Sequence, residues 1–143
     1  MTSSDRRTYE DAMIADMRAH GGAVTTGVFA GRPLLVLTTR GARTGEPRRA
    51  VLVYSRDGDD YIIAGSKGGA PTDPFWIANL RANPDVLVEV HAQEAPMRAT
   101  ITAGPERDRL WAAHVAEHPG FGGYEQKTTR IIPIVRLTPL ASG

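Results

Sequence analysis

The chain has 143 residues, 41% of them hydrophobic and 23% charged, with a net charge of +1 and no cysteine. That size and balance suit a single globular domain with its own core, residues 1–143, carrying an N-terminal helical extension over 1–22. They exclude disulfides, thiolate nucleophiles and cysteine metal sites, and no apolar run approaches the ~20 residues of a membrane-crossing helix. The opening MTSSDRRTYEDAM has no apolar core for a signal peptide, so a cytoplasmic location is expected.

In chain order, Thr8 reads as an N-cap, and Tyr9, Met13, Met17 and His20 recur at helical spacing until Gly21-Gly22. A helix is predicted over 9–20. VTTGVF (24–29), PLLVLTT (33–39) and RAVLVYS (49–55) follow as strands. Asp57-Gly58 is a hairpin signal, and it makes DYIIAG (60–65) the antiparallel partner of 49–55. After SKGGAPTDP, a helix starts at Asp73-Pro74, with aspartate as cap and proline as first helical residue, and runs through FWIANLRAN. DVLVEVH (85–91) is a strand that turns through AQEA into MRATIT (97–102). ERDRLWAAHVAEH (106–118) is a helix ended by Pro119-Gly120, and IIPIVRLT closes the chain as a strand with Pro133 at its edge or beginning. Six or seven antiparallel strands with inserted helices predict a mainly β fold, a small barrel rather than a parallel sheet.

Several catalytic signatures fail. There is no G-x-x-x-x-G-K-S/T and no G-x-G-x-x-G, and AGSKG (64–68) lacks the first glycine of a nucleophile elbow. His114, Glu117 and His118 match H-x-x-E-H, but they fall on the last turn of a helix just before a proline, so no metal is expected. Mixed charge elsewhere and the lack of a helix-turn-helix pattern argue against nucleic acid.

One stretch stands out. RGARTGEPRRAV (40–51) sets Arg40, Arg43, Arg48 and Arg49 against Glu46 alone, a local charge of about +3 by simple count. In a hairpin turning at 57–58, position 49 lies roughly opposite 66, which brings Arg43, Arg48 and Lys67 to one mouth. Glycines 65, 68 and 69 then let backbone N–H groups approach an anion, and Phe75 and Trp76 offer flat apolar area beside it. The anion expected there is a phosphate or a polycarboxylate tail.

From residue 30 to 138 the chain resembles the deazaflavin-dependent nitroreductase family, small oxidoreductases of actinobacteria that use coenzyme F-420. The resemblance rests on Gly41–Arg48 (G-x-R/K-T-G-x-P-R), on GSKGG, on Pro74–Trp76, on Asn79–Pro84 (N-L-x-A-N-P) and on Arg130–Val135. It implies an antiparallel split β-barrel. It also implies that Arg43, Thr44, Arg48 and Lys67 hold the phosphate and oligoglutamate tail, that Ala64, Gly65 and Ser66 line the deazaflavin edge, and that Phe75, Trp76 and Asn79 border the ring pocket. Arginine forks suit phosphate and carboxylate groups.

Family members that reduce nitro groups carry tyrosines three apart after the last helix, where this chain has His118, Phe121 and Tyr124. Trp76, His118 and Phe121 are therefore expected on the substrate side, and Tyr124 as the proton donor in place of the tyrosine that Phe121 replaces, with His118 or water as the alternative donors. Glycines 120, 122 and 123 suggest a lid. The implied activity is hydride transfer from reduced deazaflavin to a small electron-poor acceptor, a quinone or activated enone, with nitro compounds less favoured. Alternatives are an FMN-dependent oxidoreductase of the same fold and a non-catalytic binding module for F-420 or an apolar ligand. A monomer is slightly favoured, and peripheral membrane contact through the first helix is left open.

Overall fold

The computed structural model describes residues 3–23, 31–66, 69 and 72–140, with the side chains of the first helix from Asp11 onward. The strand expected at 24–29, and Lys67 and Gly68, lie outside the described residues. The elements are α1 (Ser3–Ala19), β1 (Leu34–Arg40), β2 (Pro47–Val53), β3 (Ser55–Asp57), β4 (Asp60–Ala64), α2 (Phe75–Ala82), β5 (Asp85–Val90), β6 (Gln93–Ile101), α3 (Gly104–Glu117), α4 (Gly120–Gln126) and β7 (Ile134–Pro139). All seven strands join one antiparallel sheet in the order β2-β1-β5-β6-β7-β4-β3.

The two edge strands, β2 and β3, are consecutive along the chain, separated only by Tyr54. The sheet therefore curls until its edges are linked by one bent strand, the split barrel expected. This corrects the hairpin drawn from sequence. Residues 47–53 pair with β1, from Leu34↔Val53 to Arg40↔Pro47, and only Ser55–Asp57 pairs with β4. The physical cause is at Tyr54, whose backbone leaves both ladders: its N–H donates to the Pro33 carbonyl (3.2 Å), and its carbonyl accepts from His118 Nε2 (3.0 Å). With its polar backbone satisfied off the sheet, the residue can bury its ring edge-on against Tyr61 at 5.0 Å.

Strand alternation sorts the side chains into an interior and an outer layer. Leu35, Leu37, Val86, Val88, Val135 and Leu137 face the interior, which α2 closes with Trp76, Ile77 and Leu80. On the outer face α1 lays Met13, Ile14 and Met17 over Leu34, Val36 and Val53, and α3 lays Leu110 and Trp111 over Ile62, Ala64 and Ile134. Arg18 fixes α1 to the sheet through a two-pronged pair with the buried Glu89 carboxylate (Nη2–Oε1 2.9 Å, Nε–Oε2 3.1 Å). The described apolar residues of α1, Met13, Ile14 and Met17, are thus spent on the sheet. Among the described residues no helix is long and apolar enough to cross a membrane.

Other boundaries shift for local reasons. Helix α1 begins at Ser3, so Thr8 lies inside it and is not its cap. Pro74, in extended conformation, occupies the cap position of α2. The Asp73 carboxylate instead accepts from Arg130 Nη1 at 2.8 Å. The β5–β6 turn is shorter than AQEA suggests, because His91 (φ 52°) and Ala92 (φ 63°) both take left-handed conformations and pairing resumes at Gln93. Gly22 abuts this turn so closely that a Cβ there would stand 2.6 Å from His91 Cα. Helix α3 starts at Gly104, two residues earlier than expected. The glycine-bearing segment expected as a lid is the short helix α4. Pro133 directly precedes β7, the beginning-of-strand placement.

Candidate active site

Because the chain passes from one edge strand, β2, straight into the other, β3, the two sheet edges meet at Tyr54 and diverge on one side of it. The wedge between them is a cleft of about 210 Å³. Val51, Leu52 and Val53 form one wall and Ala64 and Ser66 the other; Pro74 and Trp76 of the α2 entry form the floor, with Phe121 and Tyr124 of α4 across from them. Arg32, just ahead of β1, completes the rim. A second hollow of about 370 Å³ lies beyond the arginine loop, beside Arg40, Gly45 and Leu87, and none of the residues predicted to hold the cofactor lines it.

Helix α2 carries the connection between the cleft and the arginine loop. Trp76 is 2% exposed and lines the cleft; Asn79, three residues on and on the same helical face, is also buried. The Asn79 side chain accepts from the Ala42 backbone N–H through Oδ1 (2.9 Å) and donates through Nδ2 to Thr39 Oγ1 (3.0 Å). Both ends of its amide are engaged, so Asn79 holds the arginine loop in place. One helical turn, ~5 Å, separates the loop's anchor from Trp76.

Within the loop, Gly41 N–H donates to the Glu46 carbonyl (2.8 Å) and Gly45 N–H to the Gly41 carbonyl (2.9 Å), a closed turn with Gly45 at φ 73°. Thr44 Oγ1 accepts from the Glu46 N–H (3.2 Å), so this hydroxyl also shapes the turn. Arg43 is exposed. Arg48 pairs with Glu46 at 3.3 Å, which neutralises part of the local charge that a simple count gives. Strand alternation places Arg49 on the other face, where it pairs with Asp11 of α1.

The glycine loop differs from expectation. The Gly65 N–H donates to the Pro133 carbonyl (2.8 Å) and the Gly69 N–H to the Ser66 carbonyl (2.9 Å), so neither is free to meet an anion. A Cβ at Gly65 would press on Ile77 at 3.1 Å, and one at Gly69 would stand 2.8 Å from Lys127 Cβ. These glycines allow α2 and α4 to pack closely. The Ser66 carbonyl also accepts from Arg130 Nη2 (2.8 Å), and the same guanidinium holds Asp73. Arg130, quoted in the family resemblance but given no role there, ties the glycine loop to the α2 entry.

On the α4 side, Phe121 and Tyr124 meet edge to face at 5.3 Å. Phe121 also stacks edge-on against His114 at 4.5 Å. His118, expected against substrate, is instead buried and donates to the Tyr54 carbonyl, away from the cleft lining. Phe75, expected at the ring pocket, is 41% exposed and does not line the cleft. His114 is wholly enclosed; its Nδ1 shares a 2.7 Å hydrogen bond with Ser55 Oγ, while Nε2 has no partner. Burial, then the neighbouring His118 and Arg32, push its pKa down to about 4, so the imidazole is neutral. The two histidines act together as a clamp on Tyr54-Ser55, the point where the strand changes edges.

Comparison with known proteins agrees with this architecture. The sequence profile of the family described as F-420H(2)-dependent quinone reductase matches residues 11–139. An F-420H(2)-dependent quinone reductase of Mycobacterium tuberculosis is 42% identical over 113 residues, spanning 74% of this chain and 73% of that protein. Among solved structures, an F-420-H2-dependent reductase, FDR-A, superposes with a TM-score of 0.68 at 34% identity, covering 74% of this chain and 94% of that one. A structure described as a domain-swapped dimer superposes at 0.70 with 30% identity, covering 95% of this chain and 99% of that one, so the expectation of a monomer finds no support. The chain belongs to the F-420H(2)-dependent quinone reductase family.

Proposed function

We propose that this protein is an oxidoreductase that uses coenzyme F-420 and reduces a quinone in the seam cleft. The observation that carries the reading is the continuity through α2: an apolar cleft floored by Trp76, and a cationic loop anchored on Asn79 one turn away. The donor set fits a coenzyme with a flat ring, a phosphate and a polycarboxylate tail. The cleft is ring-sized and apolar-walled, and Arg43 and Arg48 stand outside it where an extended anion can run. FMN, with a single phosphate, would leave part of this cation set unused.

Arg43, Thr44, Arg48 and Lys67 would bind the phosphate and tail, and Ala64, Gly65, Ser66 and Trp76 would flank the ring. When bound, reduced F-420 supplies the hydride. The chain's own work is to exclude water with Val51, Val53, Trp76 and Phe121, to hold the acceptor in that apolar space, and to bring a proton. Tyr124, whose side chain lines the cleft, is the proton donor. Activated enones fit the same requirements, and nitro compounds fit them less well, since Phe121 offers no second hydroxyl.

The test is to mix purified protein with reduced F-420 and follow return of the oxidised coenzyme's absorbance with a quinone, an enone and a nitroarene. Quinone-dependent turnover supports the assignment. Tight coenzyme binding with no acceptor consumed favours a binding module, and turnover with FMN alone refutes the cofactor choice.

A further inference from the structure

Arg32 is a cation at the rim of the cleft to which neither the motifs nor the family resemblance gives a role. It is half-buried, and it shares the cavity with Ser66, Trp76, Phe121 and Tyr124. Three other arginines around the site are engaged, Arg48 with Glu46, Arg49 with Asp11, and Arg130 with Asp73 and the Ser66 carbonyl, while Arg43 is exposed on the loop. Among the described residues Arg32 has no carboxylate partner, and its charge is felt as far as the enclosed His114 ring, which it helps keep neutral. A half-buried guanidinium beside apolar walls, with no carboxylate partner among the described residues, is a site for an anion carried on a flat apolar body.

The proposed reaction generates such an anion. A quinone that accepts a hydride, two electrons and one hydrogen, becomes a hydroquinone monoanion with its negative charge on oxygen. One proton then completes the quinol. We propose that Arg32 is a catalytic residue that binds this oxyanion, while Tyr124 supplies the proton, so that the cleft selects acceptors whose reduced form carries an oxyanion on a fused apolar ring. The inference rests on the quinone-reductase reading. A fixed cation aimed at charge that develops during reaction stabilises the transition state more than the neutral ground state.

A hydroxynaphthoquinone that is ionised at neutral pH mimics the monoanion, and its methyl ether is the neutral control. Binding of each to the coenzyme-free protein is read by quenching of tryptophan fluorescence. The wild type is expected to hold the ionised compound about 10- to 100-fold tighter than the ether, the range of a charge-assisted hydrogen bond. Arg32→Gln loses that preference and Arg32→Lys keeps part of it, with thermal melting of both variants showing that they fold. At saturating coenzyme, Arg32→Gln lowers kcat with a neutral naphthoquinone by a similar factor and leaves F-420 affinity within about twofold. Equal binding of ion and ether by the wild type, or an undiminished preference in Arg32→Gln, overturns the proposal. So does weakened coenzyme binding with normal turnover, which would make Arg32 part of the coenzyme's grip. A wild type that does not bind F-420 at all refutes the functional reading instead, a separate result.

Discussion

Replacing Asn79 by alanine should do two measurable things at once. The substitution removes a 2.9 Å bond from the Ala42 N–H and a 3.0 Å bond to Thr39 Oγ1. Ala42 is exposed and can turn to water, so its loss is about 0.5–1.5 kcal/mol; Thr39 is 2% exposed and keeps only the long 3.4 Å bond from its hydroxyl to the Arg48 carbonyl, so the missing donor there costs about 1–3 kcal/mol. The sum, about 2–4 kcal/mol, corresponds to a melting temperature lower by roughly 10 °C for a domain of this size. Freed from α2, the arginine loop should also bind F-420 about tenfold more weakly, since ordering it becomes part of the binding cost. The assay is thermal melting beside coenzyme titration, for Asn79→Ala and for the double variant Asn79→Leu with Thr39→Val. In the double variant both buried polar partners are gone, so stability should largely return while affinity should not, because the Ala42 N–H still lacks its anchor. A single variant that melts within about 2 °C of wild type and binds coenzyme normally would refute the role given to Asn79.

Acid stability should report His114. Its folded pKa, about 4, lies below its ordinary 6.5, so the unfolded chain takes up the proton first. Stability should therefore be full above pH 6.5 and fall by roughly 3 kcal/mol as pH drops toward 4, a slope that His114→Leu removes in urea titrations. Asp57 acts in a lower window: Arg109 and Arg136 depress its pKa from 3.8 to about 2, so its contribution is present above 3.8 and is lost as pH falls through 2. Gly22→Ala should destabilise by more than about 2 kcal/mol, because the added Cβ meets backbone of the His91 turn at 2.6 Å and cannot be relieved by a side-chain move; an unchanged denaturation midpoint would show that α1 does not seat on that turn. Tyr124→Phe should lower kcat about tenfold and abolish the solvent isotope effect while coenzyme affinity stays, and wild-type turnover with every acceptor would discard Tyr124 as proton donor.

Much of the chain announced itself through local chemistry. Apolar runs between turn residues marked β1, β5 and β7, Asp57-Gly58 marked the β3–β4 turn, and the Asp73-Pro74 start marked α2. The ordered motifs from Gly41 to Val135 pointed to the family, because tight turns and cation placement constrain residue type at each position. Tyr54 was read as the interior of one strand, since nothing in RAVLVYS shows that residues on its two sides pair at opposite edges of the sheet. Asn79 and His118 were assigned to the coenzyme and substrate from motif position alone, and Arg32 carries no motif. The structure gives Asn79 and His118 to Ala42 and Tyr54 and sets Arg32 at the rim of the cleft. The Asp57-Gly58 turn and the apolar runs of the strands depend on neighbours in sequence, and these the sequence by itself determined. Which strand pairs with which, and whether a polar side chain meets backbone or an open cleft, depends on residues dozens of positions away, and only the closing of the barrel at Tyr54 decided it.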